Sequence, residues 1–250
     1  MIDIHMHALP GIDDGSRTWS ETTEMIKRSV QQGVSAIVLT PHSWGIDQIG
    51  IDNARIQFDT AKTFVKMLKI PVDLYLGCEM LVSQDTVDDC ILKIHNGQYP
   101  TLAGSRCVLT EFETWFSQSE MEYCVKKITA AGYVPVIAHA ERYDKTSVAG
   151  VEELKKLGAM VQINAYSIVN EQKASTRETA NALLAGKLVD FIGSDAHRLD
   201  HRPPVIADGI AMLTKMYSEE YARKLLLSNP KKLLGIRGGL SYGATADHSN

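Results

Sequence analysis

His5 and His7 close the chain's first apolar-alternating stretch, Asp3-Ile4-His5-Met6-His7. Residues two apart in a strand face the same side, so this spacing predicts Asp3, His5 and His7 on one face and Ile2, Ile4 and Met6 on the other. Two imidazoles so placed can hold one cation. An isolated His-x-His also occurs as ordinary polar surface, and what raises its weight here is repetition. Asp14 follows in Gly11-Ile-Asp-Asp-Gly15, Val38-Leu-Thr-Pro41 runs into His42, Gly77-Cys leads to Glu79, and Leu109-Thr leads to Glu111. Val136-Ile-Ala ends in His139 with Arg142 three residues on, and Ile192-Gly-Ser ends in Asp195 with His197 beyond it. Five of the eight histidines stand at such ends, whereas His95, His201 and His248 do not, a division that random scatter would seldom produce.

Each station has a second reading. Asp14 fits an Asp-Gly turn, His42 a strand-end histidine bonded to backbone, Glu79 and Glu111 solvated loop carboxylates, His139 a satisfied core histidine, and Asp195 a helix N-cap. Together they point to a metal centre. Imidazole and carboxylate without thiolate suit Mn, Fe or Zn. His5, His7, Asp14, His42, Glu79, Glu111, His139, Asp195 and His197 exceed what one tetrahedral ion needs, so they predict two or three ions sharing a bridging carboxylate. Such a cluster would carry more positive charge than its four acids return and would attract a phosphate dianion.

The elements that must position these residues follow from hydrophobic periodicity. Runs rich in Val, Ile and Leu read as strands at about residues 1–6, 34–40, 71–77, 106–111, 133–138, 160–164 and 189–193. Helical patterns lie between them near 19–32, 53–69, 84–95, 117–131, 150–157 and 174–186, and two more follow near 204–216 and 218–227. Thr18 with Glu21 and Ser117 with Glu120 have the spacing of capping boxes, and Gly33, Gly132, Gly158 and Gly186 fall where helices should stop. Seven alternating units predict a parallel α/β barrel, with an open doubly wound sheet as the alternative. In a parallel barrel the loops after the strands share one end, which would gather the donors there. Only the sixth strand lacks an ionisable ending, offering Asn164. Residues 1–235 read as one domain and 236–250, rich in small and polar residues, as a loose tail.

Composition narrows the classes. A chain of 250 residues, 44% hydrophobic and 22% charged, is long enough for one barrel. A net charge of −4 provides no basic field for nucleic acid or an anionic membrane. The expectation is a cytoplasmic chain: Cys78, Cys90, Cys107 and Cys124 lack any Cys-x-x-Cys spacing, no leader precedes the first strand, and no apolar run reaches the ~18 residues of a membrane span. A covalent Cys-x5-Arg phosphatase loop is excluded, because the positions six beyond the cysteines are Gln84, Asn96, Glu113 and Ala130. Trp44, Trp115, Phe116, Tyr143 and Tyr166 follow predicted strands and could flank an aromatic substrate, although packing explains loop aromatics more often.

The motifs resemble the polymerase and histidinol phosphatase (PHP) superfamily, metal-dependent hydrolases with a distorted seven-stranded barrel. Met1-Ile-Asp-Ile-His-Met-His7, Gln32-Gly-Val34, Thr40-Pro-His42, Val136-Ile-Ala-His-Ala-Glu-Arg-Tyr143, Ser194-Asp-Ala-His197 and His201-Arg-Pro-Pro204 are most similar to one branch, the manganese-dependent tyrosine-protein phosphatases encoded with bacterial capsule and exopolysaccharide genes. That resemblance covers residues 1 to about 235 and implies a distorted (β/α)7 barrel and a centre of three Mn2+ ions on the nine donors above. It further implies that Arg142 and Arg202 bind phosphate, that a hydroxide bridging the ions attacks phosphorus in line, and that His42 or His197 could assist proton transfer. The implied partner is a tyrosine-phosphorylated protein, a bacterial kinase of polysaccharide export. The alternative within the superfamily is a small-molecule phosphatase of the histidinol-phosphatase type. Ser43 after His42 and Thr110 before Glu111 depart from the usual pattern without removing a donor.

Overall fold

Continuous runs of β-branched residues favour strands buried on both faces, and the amphipathic segments between them cover those strands as helices. The computed structural model describes residues 1–169 and 174–236. Along them run β1 (Ile2–Met6), α1 (Trp19–Gln31), β2 (Ala36–Leu39), α2 (Ser43–Ile49), α3 (Ile51–Met67), β3 (Asp73–Leu76), β4 (Glu79–Leu81), α4 (Val87–His95), β5 (Cys107–Glu111) and α5 (Gln118–Ala130). There follow β6 (Val134–Ile137), α6 (Val148–Lys156), β7 (Met160–Asn164), α7 (Ala165–Val169), α8 (Ala174–Ala185), β8 (Phe191–Gly193) and α9 (Ala207–Met216), then short C-terminal helices to Leu233.

Among the described residues every strand pairing is parallel, in two sheets ordered β1-β2-β3 and β4-β5-β6-β7-β8. Two single bridges join the sheets, His42 to Glu79 and Met6 to Ala196. At the first seam the Glu79 N–H donates to the Pro41 carbonyl at 3.0 Å; at the second the Asp195 and His7 N–H groups donate to the carbonyls of His5 and Ala196 at 2.9 and 2.8 Å. The result is a distorted barrel in a single domain, as predicted, and both of its seams run through candidate donors.

Two predicted elements are corrected. The strand expected at 71–77 is split: β3 pairs with β2, the chain steps across at Gly77-Cys78, and Glu79 lies within β4, paired to β5, rather than in a loop. Glycine allows the step, since a Cβ on Gly77 would stand 3.0 to 3.2 Å from Leu102, Val38 and Thr40. In β1 the register against β2 shifts between Asp3 and Met6, inserting one extra residue. Because Asp3 pairs with Ile37 and Met6 with Leu39, which share a face, Asp3 lies opposite His5 and His7 instead of beside them. Its Oδ1 accepts the N–H groups of His5 and Ser194 at 3.2 and 3.0 Å, so this buried acid satisfies backbone donors at the irregularity.

Smaller differences have local causes. Both capping serine/threonine side chains accept from the predicted glutamate N–H, but only Glu120 completes its box; Glu21 instead takes the Arg17 N–H and guanidinium. Gly33, Gly132 and Gly158 have positive φ, whereas Lys187 takes the left-handed turn expected at Gly186. Helix α2 was not predicted, being short and without a capping side chain. Among the described residues, no helix is long and apolar enough to cross a membrane. Of the tail expected at 236–250, Ile236 packs against the inner barrel cluster, and residues 237–250 lie outside the described residues.

Ile2, Ile4, Val38, Leu109, Val136 and Phe191 form an inner cluster beneath the site, and a larger one packs the outer strand faces against the helices. Leu109 is fully buried in the inner cluster. Leu109→Ala is expected to lower stability by about 2–5 kcal/mol in urea denaturation, the usual cost of a buried Leu truncation with incomplete collapse. A loss well under 1 kcal/mol would show that this interior is not packed as described.

Candidate metal centre

Glu79 is the hub. Its Oε2 lies 3.2 Å from His5 Nε2, 3.1 Å from His7 Nε2 and 3.2 Å from His42 Nδ1, while its Oε1 is 2.9 Å from His139 Nε2. Donors bound to one ion at about 2.0–2.2 Å stand about 3 Å from each other, so this spacing fits a carboxylate shared between ions. Three overlapping groups could each hold a cation: His5, His7, Glu79 and Asp195; His42, Glu79 and Glu111; and His7, His42 and His197. His139 Nε2 adds to the second group, 3.4 Å from Glu111. Asp14, half exposed at the rim, has its Oδ1 3.5 Å from His197 Nε2 and 3.6 Å from His42 Nε2. All nine predicted donors therefore converge.

The orientation of three imidazoles is set from behind. His7 Nδ1 donates to Asp13 at 2.8 Å, His5 Nδ1 to the Gln162 carbonyl at 3.1 Å, and His197 Nδ1 to the Asp195 carbonyl at 2.9 Å, since each acceptor can only accept. In the neutral form of each ring the Nε2 is thereby left with its lone pair. The residues have buried outer partners of their own: Gln162 also accepts the His139 N–H and donates to Asn164, and Asp13 accepts the N–H groups of His42 and Gly15. Gly15 and Gly193 let the neighbouring backbone press against the histidines, for a Cβ would come within 2.6 Å of His7 Cβ at the first and 2.9 Å of His5 Cβ at the second. Asp13 and Gln162 were missed in the sequence. Asp13 stood beside Asp14 in an Asp-Asp pair that gave no ground for dividing their roles; Gln162 had no detectable signal.

Asp195 links the donors to the arginines. Its Oδ2 accepts Arg142 Nη1 at 3.2 Å, Arg202 Nη1 at 3.1 Å and Asn164 Nδ2 at 2.9 Å, while its Oδ1 has no hydrogen-bond partner and lies 3.5 Å from His5 Nε2. His197 Nε2 is likewise buried without a hydrogen bond. Such orphaned acceptors are costly in an interior unless a cation takes them, which is the fit expected of a metal site. His139, Asp195 and Arg202 also hold left-handed backbone, at φ 33°, 53° and 52°, a strain of about 1–3 kcal/mol each of the kind concentrated at functional sites.

Electrostatics agree with the geometry. Burial alone would raise Glu79, but the imidazoles around it outweigh that and hold it well below the usual carboxylate range. Burial opposes charge on His7, yet Asp13 and Glu79 raise it well above an ordinary histidine; His139, against burial and Arg142, is raised to about 9 by Glu111 and Glu79. Burial and the charges of His7 and Arg202 push His197 down to about 2, so it stays a neutral donor. Burial raises Cys90 to about 11 and Cys124 to about 12, and lifts Cys78 well up, leaving them poor nucleophiles. Of the aromatics after strands, Phe116 and Tyr143 are buried, whereas Trp44, stacked on His42, Trp115 and Tyr166 are exposed. His95 pairs with Tyr133 and His201 is exposed, both apart from the donors.

Family, sequence and structural comparisons each find members of one group. Residues 1–235 match the family described as capsular polysaccharide synthesis, CpsB/CapC. The chain is 30% identical over 242 residues to the tyrosine-protein phosphatase CpsB of Streptococcus pneumoniae, covering 94% of this chain and 98% of the relative. It is 27% identical over 240 residues to the tyrosine-protein phosphatase YwqE of Bacillus subtilis, covering 94% and 91% respectively. It also superposes, with a TM-score of 0.84 and 26% identity over 95% of this chain and 96% of the other, on a crystal structure from work on YwqE and CpsB, described as unique metal-dependent tyrosine phosphatases.

Metal ligation requires His7 and His139 to be deprotonated. His139 is raised from 6.5 to about 9, so its charge stabilises the metal-free fold fully below 6.5, and that contribution is lost as pH rises through about 9. Loading a chelator-treated sample with Mn2+ near neutral pH is therefore expected to release protons, giving a calorimetric heat that varies with the buffer's ionisation enthalpy. The gain in melting temperature on loading should also grow as the pH rises. Tight uptake with no proton release would contradict this arrangement of donors.

Proposed function

The chain belongs to the CpsB/CapC family of capsular polysaccharide synthesis, and from that premise we propose how its site works as a metal-dependent tyrosine-protein phosphatase. The observation that carries the reading is Glu79 shared among four imidazoles, next to an Asp195 that is at once a donor in this cluster and the anchor of two arginines. His5, His7, Glu79 and Asp195 would hold one ion, and Glu79, Glu111 and His139 a second. A neutral imidazole has one lone pair, so His42 can serve only one ion. Since His139 already completes the second group, we assign His42 Nε2 with His197 and Asp14 to a third. The donor set suits Mn2+, with Fe or Zn as ions the same nitrogens and oxygens would accept. Bound there, the ions would supply an activated water near neutral pH and polarise the phosphoryl oxygens.

The remaining work falls to the protein. Arg142 and Arg202 each place one Nη on Asp195, which holds them beside the donors while further N–H groups of each planar fork can take nonbridging phosphate oxygens. Asn164, on the same carboxylate oxygen, fixes its orientation. His42 and His197 are both lowered by burial, so neither is a protonated acid at neutral pH, and their role is donation to metal rather than proton supply. A tyrosine leaving group tolerates this, because a phenol with a pKa of about 10 departs more easily than a serine alkoxide. The physiological substrate that fits the family is a phosphotyrosine protein, for which we propose a bacterial tyrosine kinase controlling polysaccharide export.

The test sets a phosphotyrosine peptide against histidinol phosphate with the Mn2+-loaded protein. Preferential hydrolysis of the peptide is expected, and exclusive turnover of histidinol phosphate would sink the assignment. Arg142→Ala and Arg202→Ala should each lower kcat/KM by about 10²-fold, the usual effect of removing one preorganised donor from a developing negative charge. Wild-type rates in both variants, with circular dichroism showing them folded, would remove the arginines from the site.

A further inference from the structure

A cavity of about 210 Å³ opens directly beside Asp195. Its floor is buried and polar, formed by Asn164, Ser194 and Asp195, and its rim carries Tyr166, Pro203 and Val205. Arg202 lines the same cavity and connects the two levels: its Nη1 bonds Asp195 at 3.1 Å, and its buried Nε has no hydrogen-bond partner. A larger surface groove of about 860 Å³, lined in part by Arg17, Trp19, Phe64 and Leu199, contains none of the donor residues.

We propose that this cavity is the specificity pocket for the aryl ring of a phosphotyrosine, with Tyr166 as its aromatic wall. The inference rests on the phosphatase reading above and adds to it the residues that distinguish an aromatic phosphate from an aliphatic one. Size supports it, because an apolar cavity of about 150 Å³ suffices for benzene and a phenol ring needs slightly more. The vertical order of the lining supports it too. A phosphoryl group held by Arg142 and Arg202 beside Asp195 would bring the attached ring up between Tyr166, Pro203 and Val205, leaving the peptide backbone in solvent. A phosphoserine side chain is shorter by that ring and would leave the rim untouched. Tyr166 lines the cavity and is 48% exposed, so its ring is accessible to a ligand, and Arg202 offers a guanidinium plane on which a ring can stack.

The experiment compares kcat/KM for a phosphotyrosine peptide with that for acetyl phosphate, an activated phosphate with no ring, in the Mn2+-loaded full chain. Tyr166→Ala is expected to lower the ratio of the two values by about three- to tenfold, through KM for the peptide, in keeping with the loss of one aromatic contact. Val205→Trp, which fills the cavity, should lower it further; if that variant fails to fold, Tyr166→Ala decides alone. An unchanged ratio in Tyr166→Ala, or an equal fall with both substrates, overturns the pocket while leaving the phosphatase reading intact. Wild-type protein that hydrolyses acetyl phosphate but not the peptide overturns that reading, and the pocket with it.

Discussion

A buried carboxylate surrounded by imidazoles is the constraint on which this structure depends. Glu79 is almost wholly removed from water, and so are the His5, His7 and His139 side chains that converge on it. Desolvation in such a place disfavours charge and penalises acceptors without partners. Protons alone answer part of that demand, by raising His7 and His139, but Asp195 Oδ1 and His197 Nε2 remain without hydrogen bonds. Divalent cations would satisfy these atoms together, which makes metal binding part of the fold's energetics as well as of its chemistry.

The barrel is interrupted where this demand is met. Its two sheets touch through a single bridge at His42 and Glu79 and another at Met6 and Ala196, and His5, His7, His42, Glu79, Asp195 and His197 stand at these seams. A regular ladder would hold the strands at ordinary sheet spacing with side chains normal to it. The step at Gly77-Cys78 and the extra residue in β1 let side chains from different strands turn toward one point. Asp3 absorbs the backbone consequence of the irregularity in β1, which is why an acid is tolerated there with no exposure at all.

Around the donors lies a layer that decides their state. Asp13, Gln162 and the Asp195 carbonyl each take an Nδ1 proton, and Asp195 gathers Asn164 and both arginines on one oxygen. Both arginines and the cluster of candidate metal donors are thus joined through a single side chain. A change at Asp195 would disturb both at once, whereas Asp13 and Gln162 would reach a bound ion only through the histidines they orient.

The sequence by itself determined the periodicity of the barrel, the strand ends at which donors occur, and the donor chemistry, because these depend on residue type and local spacing. All nine predicted donors and both arginines lie in one site for that reason: in a parallel barrel, strand ends are neighbours whatever their distance along the chain. Only the tertiary structure decided the rest. The side on which Asp3 falls depends on a one-residue shift of register against β2, and the splitting of the third strand depends on a close approach to Val38, Thr40 and Leu102 that no local pattern records. The different roles of Asp13 and Asp14, adjacent and identical in type, follow from which one the turn buries against His7 and which it leaves at the rim. Gln162, 157 residues from His5, shows the limit most plainly: a hydrogen bond between side chains so far apart along the chain exists only once the barrel has closed.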